Sequence, residues 1–252
     1  MSQPAQIWSA ADYARNAGFV PALGGPVVDL LDPRPGERLL DLGCGDGVLT
    51  EELAARGAIV TGFDASPELV AAARARGLDA RVGDGQRLPF SQAFDAVFTN
   101  AALHWMPDHA AVATGVRRAL VPGGRFVGEF GGHGNVAAIV TALIAVLERH
   151  GVDARTRMPW TYPTVGEFSQ LLEDAGFEVL SIAAIPRPTP LPTGLAGWLD
   201  TFANPFLGGF SEDERNDILA AVEALCAPSL RDRSGGWTAD YVRLRFAAKR
   251  LD

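Results

Sequence analysis

Residues Leu39 to Leu49 read LLDLGCGDGVL: an apolar run, the acid Asp41, and then Gly43, Gly45 and Gly47 at every second position. Leu39, Leu40 and Leu42 suit a buried strand, and the glycines let the backbone turn sharply and approach a ligand where a Cβ would collide. A helix start beyond such a turn favours a polar ligand group. Taken alone, the triplet is equally a strand-to-helix turn whose glycines serve sterics. Three further groups bear on that choice. Asp64, 21 positions beyond Gly43 at the tip of a second apolar run, can accept hydrogen bonds from both hydroxyls of a ribose. The pair Asp84 and Gln86 follows a third run, and Asn100 to Trp105 follows a fourth. An acid at position 64 also suits the helix start at Ser66 and Pro67, but the glycines before it favour the ribose role.

These groups need a scaffold, and the periodicity supplies one. Strand, helix and strand within about 30 residues imply a right-handed parallel unit. Helices ending near Gly57 and Gly77 alternate with strands at Ile59–Phe63, Asp79–Val82, Ala93–Thr99 and Arg125–Phe130, a doubly wound parallel arrangement with ligands beyond the strands' carboxyl ends. A helix over Val136–Leu147 follows the glycine-rich loop that holds His133, and Thr164 with Glu167 caps another that ends at Gly176. Phe177–Ile185 reads as a sixth strand, and the prolines from Pro186 to Pro192 cannot continue it. Helices around Leu195–Phe202 and after Ser211 precede a last strand, Thr238–Ala248. Residues 1–34 read as a flap and helix, and 35–252 as the main domain with a helical cap at about 190–230.

The 252 residues are 48% hydrophobic, enough for one large α/β domain with an elaboration. A net charge of -8 argues against a nucleic-acid backbone or an anionic membrane as partner, since both attract basic surfaces. Only Cys44 and Cys226 are present, and no apolar run approaches membrane-spanning length. The expectation is a soluble cytoplasmic protein, monomer or homodimer, with reduced thiols and a small-molecule partner. No Cys, His or carboxylate cluster has metal-ligand spacing, so no metal is expected.

Strand ends on one side of such a sheet converge, so the four groups should surround one pocket. DLGCGDG from Asp41, the acid in GFDAS, GDGQRLPF from Gly83, NAALHWMPDH from Asn100, LVPGGRF from Leu120 and GEFGGHGN from Gly128 stand together in this chain. On these segments the sequence resembles the class I S-adenosylmethionine-dependent methyltransferases, in the subgroup similar to the trans-aconitate methyltransferases; PWTYP and WTADY extend the resemblance toward the C-terminus. It implies a Rossmann-like, doubly wound, mostly parallel seven-stranded sheet with the last strand antiparallel, plus a helical cap. It also implies S-adenosyl-L-methionine as cofactor and S-adenosyl-L-homocysteine as product. Gly43, Gly45 and Gly47 would pass beneath the methionine part, with Cys44 in the same turn, and Asp41 would help hold the ammonium through water. Asp64, next to Ala65, would bind the ribose, and Asp84 the adenine amino group, with Gly85 and Gln86 lining that end. Asn100 and Ala101 would sit beside the sulfonium, and His104 and Trp105 would begin the substrate side.

A nicotinamide-dependent oxidoreductase is the nearest alternative, but its fingerprint needs glycine where Val48 stands, and Asp41 would repel a pyrophosphate. The same cofactor could also serve cyclopropanation or sensing. Methyl transfer is an in-line displacement that the protein mainly aligns and shields from water. A carboxylate acceptor needs no base, whereas an alcohol, phenol or ammonium must lose a proton, for which His104 and His133 are the candidates. Each is equally read as packing or as a loop residue. Trp8, Tyr13, Trp105, Trp160, Tyr162, Trp198 and Phe202 are candidate walls of an acceptor pocket roofed by the flap and the cap helices, although cap aromatics more often pack. Arg15, Arg157 and Arg187 are candidate partners for an acceptor carboxylate.

Overall fold

The computed structural model describes residues 23–252, so Trp8, Tyr13 and Arg15 lie outside the described residues. Helix α1 (Gly25–Leu31) precedes strand β1 (Arg38–Leu42), whose leucines are fully buried. The glycine turn leads into α2 (Val48–Ala55), then β2 (Ile59–Asp64), α3 (Pro67–Ala75) and β3 (Asp79–Val82). Ser66 caps α3, accepting from the Leu69 N–H, and Pro67 takes the first helical position, where a missing N–H costs nothing. β4 (Phe94–Asn100) and α4 (His109–Ala119), capped by Asp108, lead to β5 (Leu120–Gly131). β5 begins five residues before the expected Arg125, and a register shift between Phe94 and Ala96 accommodates its Pro122-Gly123-Gly124 segment.

The second half holds α5 (Ala137–Arg149), α6 (Val165–Asp174), β6 (Phe177–Pro186), β7 (Thr189–Pro190), α7 (Gly194–Phe202), α8 (Glu212–Leu230), β8 (Thr238–Ala239) and β9 (Val242–Arg250). Reciprocal capping boxes start α6 (Thr164 with Glu167) and α8 (Ser211 with Glu214), as their sequence spacing predicts. The expected single strand over 238–248 is divided. Thr238–Ala239 pairs with Thr189–Pro190 in a separate two-stranded ribbon, and β9 begins at Val242. The residues between are held elsewhere: the Asp240 carboxylate accepts the Ala138 N–H at the start of α5, and the Tyr241 hydroxyl accepts from Trp198 Nε1.

Seven strands form one sheet in the order β3-β2-β1-β4-β5-β9-β6, with β1 to β5 parallel and β9 antiparallel to β5. Alternate residues feed its two faces. Leu40, Leu42, Val97, Phe126, Phe130 and Phe246 pack with Val112 and Val116 of α4 and Phe168 and Leu172 of α6. Leu39, Ala96, Phe98, Val127 and Ala247 pack with Val27, Val28 and Leu31 of α1 and Leu49 and Leu53 of α2.

The described residues divide into two compact units. The sheet unit holds residues 23–133, 161–185 and 243–252, and the other holds 134–160 and 186–242. The second unit thus draws on α5 as well as on the stretch containing the expected insertion at about 190–230. Within it α5 packs along α8.

In the sheet unit Phe246 is fully buried and meets Phe126, Phe130 and Phe168 edge to face. Phe246→Ala should cost about 3–5 kcal/mol in urea unfolding. A loss below about 1 kcal/mol would show that this ring cluster does not anchor the sheet.

Candidate functional site

Hydrogen bonds stitch the loops at the carboxyl ends of the parallel strands to neighbouring strands. The Gly43 N–H donates to the Phe63 carbonyl at 2.7 Å, the Gly83 N–H to the Asp64 carbonyl at 2.9 Å, and the Ala101 N–H to the Glu129 carbonyl at 2.7 Å. These bonds bring the turn after β1, the tip of β2 and the loop after β3 to one edge, beside the ends of β4 and β5.

Gly43 has a φ of +78°, and a Cβ there would lie 2.1 Å from Ala102 Cβ, so neither the conformation nor the space admits a side chain. At Gly45, φ +56°, a Cβ would meet nothing within 4 Å. Its open side is available to a ligand, while its N–H points to Asp64 Oδ2 at 3.0 Å. The other oxygen, Oδ1, accepts the Ser66 N–H at 2.8 Å. Asp64 is therefore oriented by two backbone donors, and lone pairs remain on both oxygens for further donors such as a vicinal diol. Desolvation raises its pKa, and backbone hydrogen bonds to Ser66, Gly45 and Ala65 oppose that rise. Ala65 itself is exposed.

Asp41 is 2% exposed and accepts a 2.6 Å hydrogen bond from Thr50 Oγ1 of α2, a partner the sequence pattern does not single out. Burial pushes its carboxyl up to about 7, with the Asp64 charge adding and the Thr50 hydrogen bond opposing. The Cys44 side chain packs with Val70, Ala73 and Ala80, leaving its backbone to the turn; burial raises its thiol pKa. Gly47 is the N-cap of α2. Asp84 is exposed, its Oδ1 accepting from the backbone and side-chain N–H groups of Gln86, while Gln86 Oε1 accepts the Asp108 N–H. Gly85 is buried, and a Cβ there would lie 2.7 Å from Met106 Sδ, which is a packing constraint.

Asn100 ends β4 opposite Glu129. Ala101 follows with φ +55°, a left-handed conformation that a residue with a Cβ adopts at a cost of about 1–2 kcal/mol. The next turn buries His104, whose Nδ1 accepts the Gly131 N–H at 3.3 Å and whose carbonyl accepts the Thr161 N–H. With Nδ1 accepting, the neutral ring carries its proton on Nε2. Desolvation holds the imidazole well below the usual histidine range, with the charges of Arg243 and His109 adding to the shift. Trp105 and Tyr162 flank it, with ring centroids 5.6 and 5.9 Å away.

His133 is exposed after β5, its backbone N–H donating to the Pro163 carbonyl. Trp160, Trp198 and Phe202 belong to the second unit. There Trp160 packs on Trp198 and Phe206, and Trp198 on Phe202, all at most 7% exposed. Arg157 donates to the Phe206 and Gly208 carbonyls and lies over the Phe210 ring, which binds it into its own unit. Two groups absent from the sequence reading stand at the sheet edge: the Glu129–Arg245 pair, at 2.6 Å with Glu129 1% exposed, and buried Arg243. Among the described residues no group of three or more His, Cys, Asp and Glu could hold a metal ion, and no helix is long and apolar enough to cross a membrane.

A family model described as a methyltransferase domain matches residues 40–128. The chain is 41% identical over 260 residues to an uncharacterized methyltransferase of Schizosaccharomyces pombe, covering 97% of this chain and 98% of the relative. A trans-aconitate 2-methyltransferase of Mycolicibacterium gilvum is 45% identical over 108 residues, 41% of either chain. Among solved structures, a phosphoethanolamine N-methyltransferase 2 of Haemonchus contortus, in complex with phosphomonomethylethanolamine and S-adenosylhomocysteine, has a TM-score of 0.61 at 18% identity. That likeness of fold covers 96% of this chain and 57% of the other.

The Asp41 value has a stability consequence. The folded chain holds a proton that the unfolded chain, near the ordinary 3.8, has released. This group's contribution is full below about pH 4 and is lost as pH rises through about 7. Asp41→Asn keeps an acceptor for Thr50 without the charge. In urea unfolding of the ligand-free chain it should gain a few kcal/mol over wild type at pH 8 but little at pH 4. An equal difference at both pH values would show that Asp41 is ionised throughout.

Proposed function

The chain belongs to the class I S-adenosylmethionine-dependent methyltransferases, and we propose that it methylates a carboxylate oxygen of a small molecule without a general base. The hydrogen bond from the Gly131 N–H to His104 Nδ1 carries this reading. It leaves the ring edge at Nε2 as a donor. To take a proton there, His104 would have to change tautomer and give up the bond that fixes it. A neutral buried donor suits an acceptor that arrives as an anion; an alcohol or ammonium would need a base in that position. The names of the mycobacterial relatives, trans-aconitate 2-methyltransferases, support the same acceptor class.

The residues fit the cofactor. The open side of Gly45 and the remaining lone pairs of Asp64 suit the amino-acid part and the ribose diol, and Asp84 has an oxygen for the adenine amino group. Asp41 beneath the turn would favour the ammonium through water, and Asn100 and Ala101 would border the sulfonium. When bound, the cofactor supplies an electrophilic methyl group. Held beside it, the acceptor carboxylate would take that methyl while sulfur kept the electron pair of the broken C–S bond, giving an ester and a thioether, so that no residue of the chain would have to remove a proton.

Asp64→Ala should weaken S-adenosylhomocysteine binding by about 1.5–3 kcal/mol in calorimetric titration. Unchanged affinity in a folded variant would remove Asp64 from the ribose. Labelled methyl transfer to trans-aconitate tests the acceptor. His104→Gln, which keeps an N–H donor, should retain far more turnover than His104→Ala, with cofactor affinity similar in both. Equal loss in the two variants, with a wild-type rate that climbs with pH through a single ionisation, would make His104 a base.

A further inference from the structure

The side chain of Gln86 bridges two loops of the sheet unit. Its Nε2 donates to Asp84 Oδ1 at 3.2 Å, and its Oε1 accepts the Asp108 N–H at 3.0 Å. A backbone N–H can only donate, so the amide oxygen must face Asp108 and the amide nitrogen must face Asp84. The bridge therefore has a fixed direction. From that direction, and resting on the cofactor reading above in which Asp84 meets the adenine amino group, we propose that Gln86 is a positioning residue for cofactor specificity. By holding one oxygen of Asp84 it turns the other to the base, and so makes the site prefer an aminopurine to its oxo analogue.

Asp84 is exposed, so its carboxylate depends on donors to fix it. Its Oδ1 also accepts the Gln86 backbone N–H at 2.9 Å, as the cap of the short helical turn Gly85–Arg87. One donor holds an oxygen but leaves the carboxylate plane free to turn about it. The amide nitrogen, a second donor on the same oxygen from another direction, removes that freedom. Oδ1 has then used its lone pairs, and Oδ2 is left for a ligand. Arg87 Nε stands 3.8 Å from Oδ2, beyond hydrogen-bond length, and its side chain is 87% exposed, so it leaves that oxygen open.

The far end of the bridge is anchored. Asp108 is the N-cap of α4, its own Oδ1 accepting the Ala111 N–H at 2.9 Å. Helix α4 packs along the Gly85–Arg87 turn, and Met106 fills the space where Gly85 would carry a Cβ. The two loops are thus in contact without Gln86, and what its side chain adds is the orientation of Asp84. An amide alone serves both ends. A glutamate would set a second carboxylate against Asp84, and a lysine could donate to Asp84 but not accept from Asp108.

Selectivity follows from holding the acid still. The amino group of adenine donates to a carboxylate oxygen, whereas the oxo group of hypoxanthine in the same place repels it. A mobile carboxylate escapes that repulsion by turning to the neighbouring ring N–H of hypoxanthine. A fixed one cannot, so loss of the Gln86 bridge relaxes rejection of the wrong base more than it weakens binding of the right one.

Calorimetric titration, by displacement where binding is weak, compares S-adenosylhomocysteine with S-inosylhomocysteine, which carries the oxo group in place of the amino group. Wild type should favour the adenosyl ligand by about 10- to 100-fold. Gln86→Met, of similar length without a donor, should lower that ratio by about 3- to 10-fold, chiefly through tighter binding of the inosyl ligand. Gln86→Lys, which keeps a donor for Asp84, should retain more of the ratio than Gln86→Met. A role confined to folding or to the start of α4 would weaken both ligands alike, and an unchanged ratio in Gln86→Met would overturn the proposal. Asp84→Ala separates it from the reading it rests on. If Asp84→Ala loses the preference while Gln86→Met keeps it, the adenine assignment stands and the role of Gln86 falls. If Asp84→Ala keeps the preference, Asp84 does not read the base and both fall.

Discussion

The two backbone hydrogen bonds to Asp64, from Gly45 and Ser66, fix most of what the ligand edge can be. A carboxylate at a strand tip is a mobile charge until donors hold it, and both donors here come from turns that the glycines and the α3 cap create. The Gly45 donor reaches Asp64 only because Gly43 turns with φ +78° into a space that Ala102 closes to any Cβ. The Ser66 donor is in place because its side chain and Pro67 start α3 at that point. A change in either turn therefore redirects the carboxylate.

Around that anchor the charges are separated along the edge. Asp41, Asp64 and Asp84 stand at β1, β2 and the loop after β3, while Arg243 stands at the start of β9. Two of the acids oppose one another: the Asp64 charge adds to the burial that raises the Asp41 carboxyl. On the proposed reading that competition is relieved by a cationic cofactor, whose ammonium favours the ionised form of Asp41. The strained Ala101 fits the same arrangement. Its left-handed backbone sends the N–H to the Glu129 carbonyl, which joins the end of β4 to β5 and sets the turn that buries His104.

The parts of this arrangement that the sequence makes legible are local. The glycine spacing, the capping boxes at Thr164 and Ser211, and the acid at the tip of the second strand are each specified within about twenty residues, and each matches a geometry in the structure. Pairings between distant positions are not legible in that way. Arg245 and Glu129 are 116 positions apart, and the antiparallel register that sets Arg243 opposite Gly131 joins strands more than a hundred residues apart. The alternation in residues 238–248 suggests one strand because period alone cannot register that Asp240 is drawn to the start of α5. Aromatic composition likewise marks seven walls of one pocket. The structure sets Trp105 and Tyr162 beside His104 and packs Trp160, Trp198 and Phe202 together within the other unit.

The reacting charges decide what kind of edge favours the proposed transfer. A sulfonium and a carboxylate annihilate each other's charge as the methyl moves, so water, which solvates both reactants well and both products poorly, opposes the reaction. Burial around the acceptor removes that opposition. A strong cation on the reacting carboxylate would restore it, because it too stabilises the charge that is about to vanish. A neutral imidazole N–H orients the oxygen at much smaller ground-state cost, and desolvation, aided by the Arg243 charge, keeps the His104 imidazole neutral.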